Sequence, residues 1–139
     1  MVITFYGEEN MELRCYADKT EKILLRFWPC INEGENMEWE KWHMAEPLVV
    51  YATDYCMLLL YLRNIFPAID PTNGKKQDAF DLCFHNFIGI EDWERVVRHI
   101  KNDAPSNESE KEKQFFSQFV GWIESQLFWA DMIVVEGNL

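Results

Sequence analysis

Residues 47–66, Pro47-Leu48-Val49-Val50-Tyr51-Ala52-Thr53-Asp54-Tyr55-Cys56-Met57-Leu58-Leu59-Leu60-Tyr61-Leu62-Arg63-Asn64-Ile65-Phe66, are the most apolar stretch of the chain. Fold class turns on whether they form one helix. Pro47 suits the first helical position, where a missing N–H costs nothing, and Pro67 enforces a stop just after Phe66. The stretch is about as long as a membrane span. Asp54 at its middle and Arg63 near its end would be costly in hydrocarbon, however, and no basic flank sets an orientation. A helix that is apolar nearly all round is buried, so 47–66 reads as a central core helix packed on several sides. The β-branched pair Val49-Val50 also allows a short strand at its start.

On the C-terminal side, Pro71, Asn73 and Gly74 mark a turn. Residues 75–88 place Ala79, Leu82, Cys83, Asn86 and Phe87 at helical spacing, with Gly89 as a stop. Glu91 and Asp92 open a further helix at its positive end; Trp93, Val96, Val97 and Ile100 keep its period, and Arg98, His99 and Lys101 suit its last turn. The polar run 102–110, with Pro105, reads as a loop, and Ser106 or Asn107 can cap the next helix. That last and longest helix carries Phe115, Phe116, Phe119, Trp122, Ile123, Leu127, Ala130 and Ile133 or Val134 on one face, with Gly137 as terminator. The aromatic stripe is core rather than a ligand box.

On the N-terminal side, residues 20–28 read as a capped helix ended by Pro29, and Met11, Cys15 and Tyr16 as an earlier one. Val2-Ile3-Thr4-Phe5-Tyr6 has strand composition, but an isolated strand needs a partner. The expectation is a mainly α fold: a single-domain helical bundle of about five helices around a buried central helix, 47–66, with an irregular or short-strand N-terminus. The alternative is α+β.

Acid is in excess, with 24 Asp and Glu against 13 Lys and Arg for a net charge of −11, yet 15% of residues are aromatic and 48% apolar. Disordered acidic chains lack such aromatic content, so the sequence describes one folded globular domain, 1–139, large enough for a core without disulfides or metal. So acidic a surface repels nucleic acid and anionic membrane, both of which are bound through Lys and Arg. It attracts a basic protein and speeds encounter with it, besides keeping the chain soluble. Cys15, Cys30, Cys56 and Cys83 include no close pair, and three lie in apolar runs where a thiol acts as a small hydrophobe. With no signal-peptide pattern at the start, the expected setting is the cytoplasm with reduced thiols.

Specific chemistry is absent. Cys83-Phe84-His85 is the one Cys–His neighbourhood; on a helix the two would face apart, and His43 and His99 lie elsewhere in sequence. A nucleophilic Cys–His pair has no accompanying signature, and Cys56 sits in a run that should be buried and inert. Asp78 and Asp81, three apart, read as a solvated face. No phosphate loop, serine elbow or HExxH occurs. The reading is a non-enzyme without cofactor or metal, a Cys–His enzyme or metal protein and an acidic adaptor subunit being the alternatives.

The segment Ile31-Asn32-Glu33-Gly34-Glu35-Asn36-Met37-Glu38-Trp39-Glu40-Lys41-Trp42-His43 is the strongest functional candidate. Six acids face one lysine between residues 30 and 54, so this fifth of the chain carries −5 of the net charge. Indoles among carboxylates suit a protein interface, where aromatic rings anchor and charges steer. The candidate partner-binding residues are Glu33, Glu35, Glu38, Trp39, Glu40 and Trp42. In the competing reading the two tryptophans, three apart, form the inward stripe of a helix.

A small, acidic, aromatic-rich chain of this profile, with its Glu33-to-Trp42 segment and its close at Trp129-Ala130-Asp131-Met132-Ile133-Val134-Val135-Glu136-Gly137-Asn138, resembles the immunity proteins of bacterial polymorphic toxin systems, including contact-dependent growth inhibition. The resemblance implies a cytoplasmic protein that binds one cognate toxin domain, often a basic nuclease, and covers its active site.

Overall fold

A computed structural model describes residues 3–6, 10–35, 37–107 and 109–139. Along these the elements are β1 (Ile3–Tyr6), β2 (Asn10–Leu13), β3 (Leu24–Cys30), α1 (Trp39–Trp42), β4 (Leu48–Tyr51), α2 (Ala52–Tyr55), α3 (Leu59–Asn64), β5 (Ala68–Ile69), β6 (Lys76–Gln77), β7 (His85–Gly89), α4 (Ile90–Asn107), α5 (Glu110–Gln126) and β8 (Met132–Gly137). Six strands form one sheet in the order β1-β2-β4-β3-β8-β7, and β5 pairs with β6 alone. Among the described residues only the β2–β4 pairing is parallel.

The fold is therefore α+β, and the expected helical bundle is overturned. Residues 47–66 are not a central helix: Leu48–Tyr51 run as a strand between β2 and β3, with two short helices after it. A strand flanked on both sides and covered on its inner face is as uniformly apolar as a buried helix, and Val49-Val50 favours the strand. The helix expected over 20–28 is absent as well, Leu24–Cys30 forming a strand instead. Pro29 is tolerated within β3 because β4 pairs only with Leu24–Phe27, so its missing N–H falls on an open side. Met11 lies in a strand, not a helix, and Ile3–Tyr6 pair with β2 as strand composition requires; Val2 lies outside the described residues. The helical spacing at 75–88 is coincidental: β6, a loop and β7 occupy it.

The two long helices are where periodicity placed them, but α4 continues through Pro105 to Asn107. Neither Ser106 nor Asn107 caps α5. Ser109 does, its Oγ accepting from the Glu112 N–H at 3.2 Å. The last helix also ends earlier than expected, because Met132–Gly137 turn back as a strand between β3 and β7. Gly137 is thus no helix terminator. A Cβ there would overlap the Leu82 carbonyl, so glycine is set by close backbone approach. The expected turn at 68–74 does link β5 and β6, with Gly74 at φ 75°.

One sheet face packs on the helices. Phe27 of β3 meets Phe119 of α5 edge-on at 5.3 Å and Trp93 of α4 at 6.1 Å, and the Trp93 indole donates to the Ile133 carbonyl at 3.1 Å. Asp54, fully buried in α2, ties the turn after β2 to this core. Its carboxylate accepts from the backbone N–H groups of Cys15 and Tyr16, each at 2.7 Å, and of Ala17 at 3.3 Å. At the outer edge of β7 the Gln77 amide stands in for a neighbouring strand: its Nε2 donates to the Phe87 carbonyl at 2.9 Å and its Oε1 accepts from the Phe87 N–H at 3.2 Å. A blunted edge of this kind discourages pairing with another chain.

Candidate functional site

The second sheet face carries the acidic segment. Across β3, β8 and β7 the residues directly opposite one another are Arg26, Glu136 and His85, then Trp28, Val134 and Phe87, then Cys30, Met132 and Gly89. Residues opposite in adjacent strands share a face, so these three rows make one surface. The one-turn helix α1 lies on it. Trp42 is 2% exposed and fills a small second core with Cys30, Met132 and Val134, against which Trp28, Met37 and Phe87 also pack.

His43, the residue after α1, is the centre of the arrangement. Its ring centroid lies 3.8 Å from Trp42, 3.8 Å from Trp39 and 4.2 Å from Trp28. Its Nε2 stands 3.3 Å from Oε1 of Glu136, the same oxygen that accepts from the Trp28 indole N–H at 3.0 Å. Only 6% of the imidazole side chain is exposed. Burial holds its pKa below the ordinary 6.5, although contact with the Glu136 carboxylate and the Trp39 carbonyl favours the charged form. The imidazole is therefore neutral near pH 7, one more ring in an aromatic stack. That stack continues from Trp42 to His85 at 5.5 Å and from His85 to Phe84 at 5.8 Å.

The sequence-predicted residues divide. Glu33, Glu35, Glu38 and Glu40 are exposed, and Trp39 is 59% exposed on the outer side of α1. Trp42 is turned inward and Trp39 is not, so the inward stripe expected of the pair holds for Trp42 alone: one turn of helix touches the sheet only at its C-terminal end. Asn36 lies outside the described residues. The base of the segment is fastened: the Asn32 N–H donates to Asp131 at 2.6 Å, its Nδ2 to the Pro71 carbonyl at 2.7 Å, and its Oδ1 accepts from Gly34, which sits at φ 91°. Lys41 reaches Glu33 at 3.9 Å with both side chains half exposed, a pair too wet to neutralise the patch.

Sequence reasoning missed Trp28, His43, Glu136, Phe84 and His85 as a group. No local signal joins them, because Trp28 and Glu136 meet only through β3–β8 pairing. The period-2 alternation Arg26, Trp28, Cys30 against Leu25, Phe27, Pro29 was the available clue.

Cys83 and His85, the one Cys–His neighbourhood of the sequence, are both exposed. Among the described residues no three His, Cys, Asp or Glu side chains converge as metal ligands would. Cys56 is exposed, contrary to its apolar neighbours, because it lies in the turn after α2 rather than inside a helix. No helix among the described residues is long and apolar enough to cross a membrane. In comparisons with known proteins, no family model, no curated protein and no solved structure matches the chain.

Proposed function

We propose that this protein is an acidic binding protein that neutralises a cognate basic toxin domain by direct contact, in the manner of the immunity proteins it resembles. The observation that carries this reading is the surface of α1 and the segment before it. Four exposed carboxylates, Glu33, Glu35, Glu38 and Glu40, lie within six residues of the exposed indole of Trp39 in sequence, and Lys41 is the one lysine or arginine in residues 31–43. The carboxylates draw a basic partner from solution, and the indole supplies apolar contact once it arrives. Trp42 has a different task, holding α1 on the sheet. A cleft built for nucleic-acid phosphates is the kind of basic surface such a patch occupies. Tight neutralisation needs about 1,200–2,000 Å² of total buried surface, so α1 is the centre of a larger footprint.

The test is co-expression with the C-terminal domain encoded by the neighbouring upstream reading frame. Toxicity relieved by this chain, and not by the triple variant Glu35→Lys, Glu38→Lys, Glu40→Lys, supports the reading and its site. Relief by both leaves the activity and removes the patch. A toxic neighbour that this chain fails to relieve, or a harmless one, ends the proposal.

A further inference from the structure

The aromatic stack under α1 has two exposed ends. Trp39 is 59% exposed at one, and Phe84 is 64% exposed at the other, beside exposed His85. The rings between them, His43 and Trp42, are close-packed and backed by the sheet. Phe84 and His85 are distant in sequence from the acidic segment, and neither belongs to the acidic patch. Both are carried to it by the pairing of β7 with β8, in which His85 stands opposite Glu136.

We infer that the docking surface extends from α1 to the start of β7, and that it selects arginine-rich rather than merely basic segments by stacking guanidinium groups on Trp39 and on Phe84 and His85. This rests on the proposed acidic docking face and specifies its partner. Three features argue for arginine. A guanidinium is planar and weakly hydrated and stacks on aromatic faces, whereas an ammonium keeps its water. The exposed Glu38 and Glu40 are the chain neighbours of Trp39 at one end of the stack, so charge complementarity and ring contact coincide there. At the foot of the stack Glu136 uses Oε1 for both Trp28 and His43, and its other carboxylate oxygen has no partner among the described residues. The Glu136 side chain is 28% exposed, so it can be approached from solution.

The rings that hold this surface are structural, but Trp39 and Phe84 are more than half exposed, so removing either leaves both cores intact. The test titrates the full chain with nona-arginine and nona-lysine peptides by calorimetry at low salt. Both peptides carry the same charge, and since guanidinium also pairs bidentately with carboxylates, the ring contribution is the part of the preference that the Trp39 and Phe84 variants remove. The expected result is roughly fivefold tighter binding of nona-arginine, with the preference lost in Trp39→Ala and reduced in Phe84→Ala while nona-lysine binding is unchanged. Equal affinities, or a preference that survives Phe84→Ala undiminished, overturn the extended aromatic surface. In that event the acidic face still stands if both peptides weaken together in the triple Glu→Lys variant. Failure of both peptides to bind overturns the arginine-selective surface and the acidic patch as its docking face, while co-expression decides neutralisation separately.

Discussion

His43 and Glu136 are 93 residues apart in sequence and in contact through Nε2 and Oε1 at 3.3 Å. Glu136 also takes the Trp28 indole N–H, so one carboxylate oxygen joins β3, β8 and the end of α1. The contact decides where Trp39 stands, because the Trp39 ring leans on the His43 imidazole.

Burial lowers the pKa of His43, and this fixes the sign of its effect on stability. With both folded and unfolded forms neutral above pH 6.5, the contribution there is at its maximum. As pH falls below 6.5 the unfolded chain takes up the proton first, so stability is lost until the folded pKa is passed. The slope from this one group is no steeper than about 1.4 kcal/mol per pH unit. Urea unfolding between pH 7 and pH 5 should show the decline, and His43→Gln should flatten it. A His43 NMR titration midpoint above 6.5 would contradict the sign.

Asp54 is fully buried and accepts three backbone N–H groups, the one from Cys15 buried and those from Tyr16 and Ala17 partly so. Asp54→Ala leaves those donors unsatisfied and should cost about 3–5 kcal/mol. Asp54→Asn keeps one acceptor but turns an N–H₂ toward the donors, for a loss of about 2 kcal/mol. Denaturant unfolding measures both. A loss under about 1 kcal/mol for the alanine variant would mean that the amides find other partners.

Asp54 also shows how far the chain could be read from sequence. A charge in the middle of an apolar run argued against a membrane span, and it equally marked a break, since the carboxylate caps a turn from another part of the chain. That partner, Cys15 to Ala17, is 37 to 39 residues away and leaves no local trace. The amphipathic helices α4 and α5 were legible because Trp93, Val96, Val97 and Ile100, and Phe115, Phe116 and Phe119, repeat over several turns. Strands β3, β4 and β8 were not, because a strand in the middle of a sheet is set by neighbours distant in sequence. Ile133-Val134-Val135 nonetheless carried a warning, being β-branched throughout. The acidic patch was visible as composition; its aromatic floor required the sheet.

The four thiols should separate into two classes. Cys56 and Cys83 are exposed, whereas Cys15 and Cys30 are buried. Burial, reinforced by Asp131 and Glu33, pushes the Cys30 thiol up to about 12. Burial again, with Asp54 next, raises Cys15. Since the thiolate is the reactive species, a disulfide reagent should titrate two thiols rapidly in the native protein and four in denaturant. Fast reaction of Cys30 in native conditions would mean that the small core beneath α1 opens.

Gly137 supplies the sharpest steric test. Its N–H donates to the Phe84 carbonyl at 2.8 Å, and the Leu82 carbonyl occupies the place a Cβ would take, so the 82–84 segment is laid directly on the end of β8. Gly137→Ala cannot be absorbed by rotating a side chain, because the obstructing atoms belong to the backbone. Either the end of β8 or the 82–84 segment must move, at about 2–4 kcal/mol. The shift also displaces Phe84, the outer end of the aromatic stack. Gly137→Ala should therefore lower the unfolding midpoint and, in whatever remains folded, reduce the preference for nona-arginine over nona-lysine. A stable variant with the preference intact would show that the β7–β8 junction yields more easily than its contacts imply.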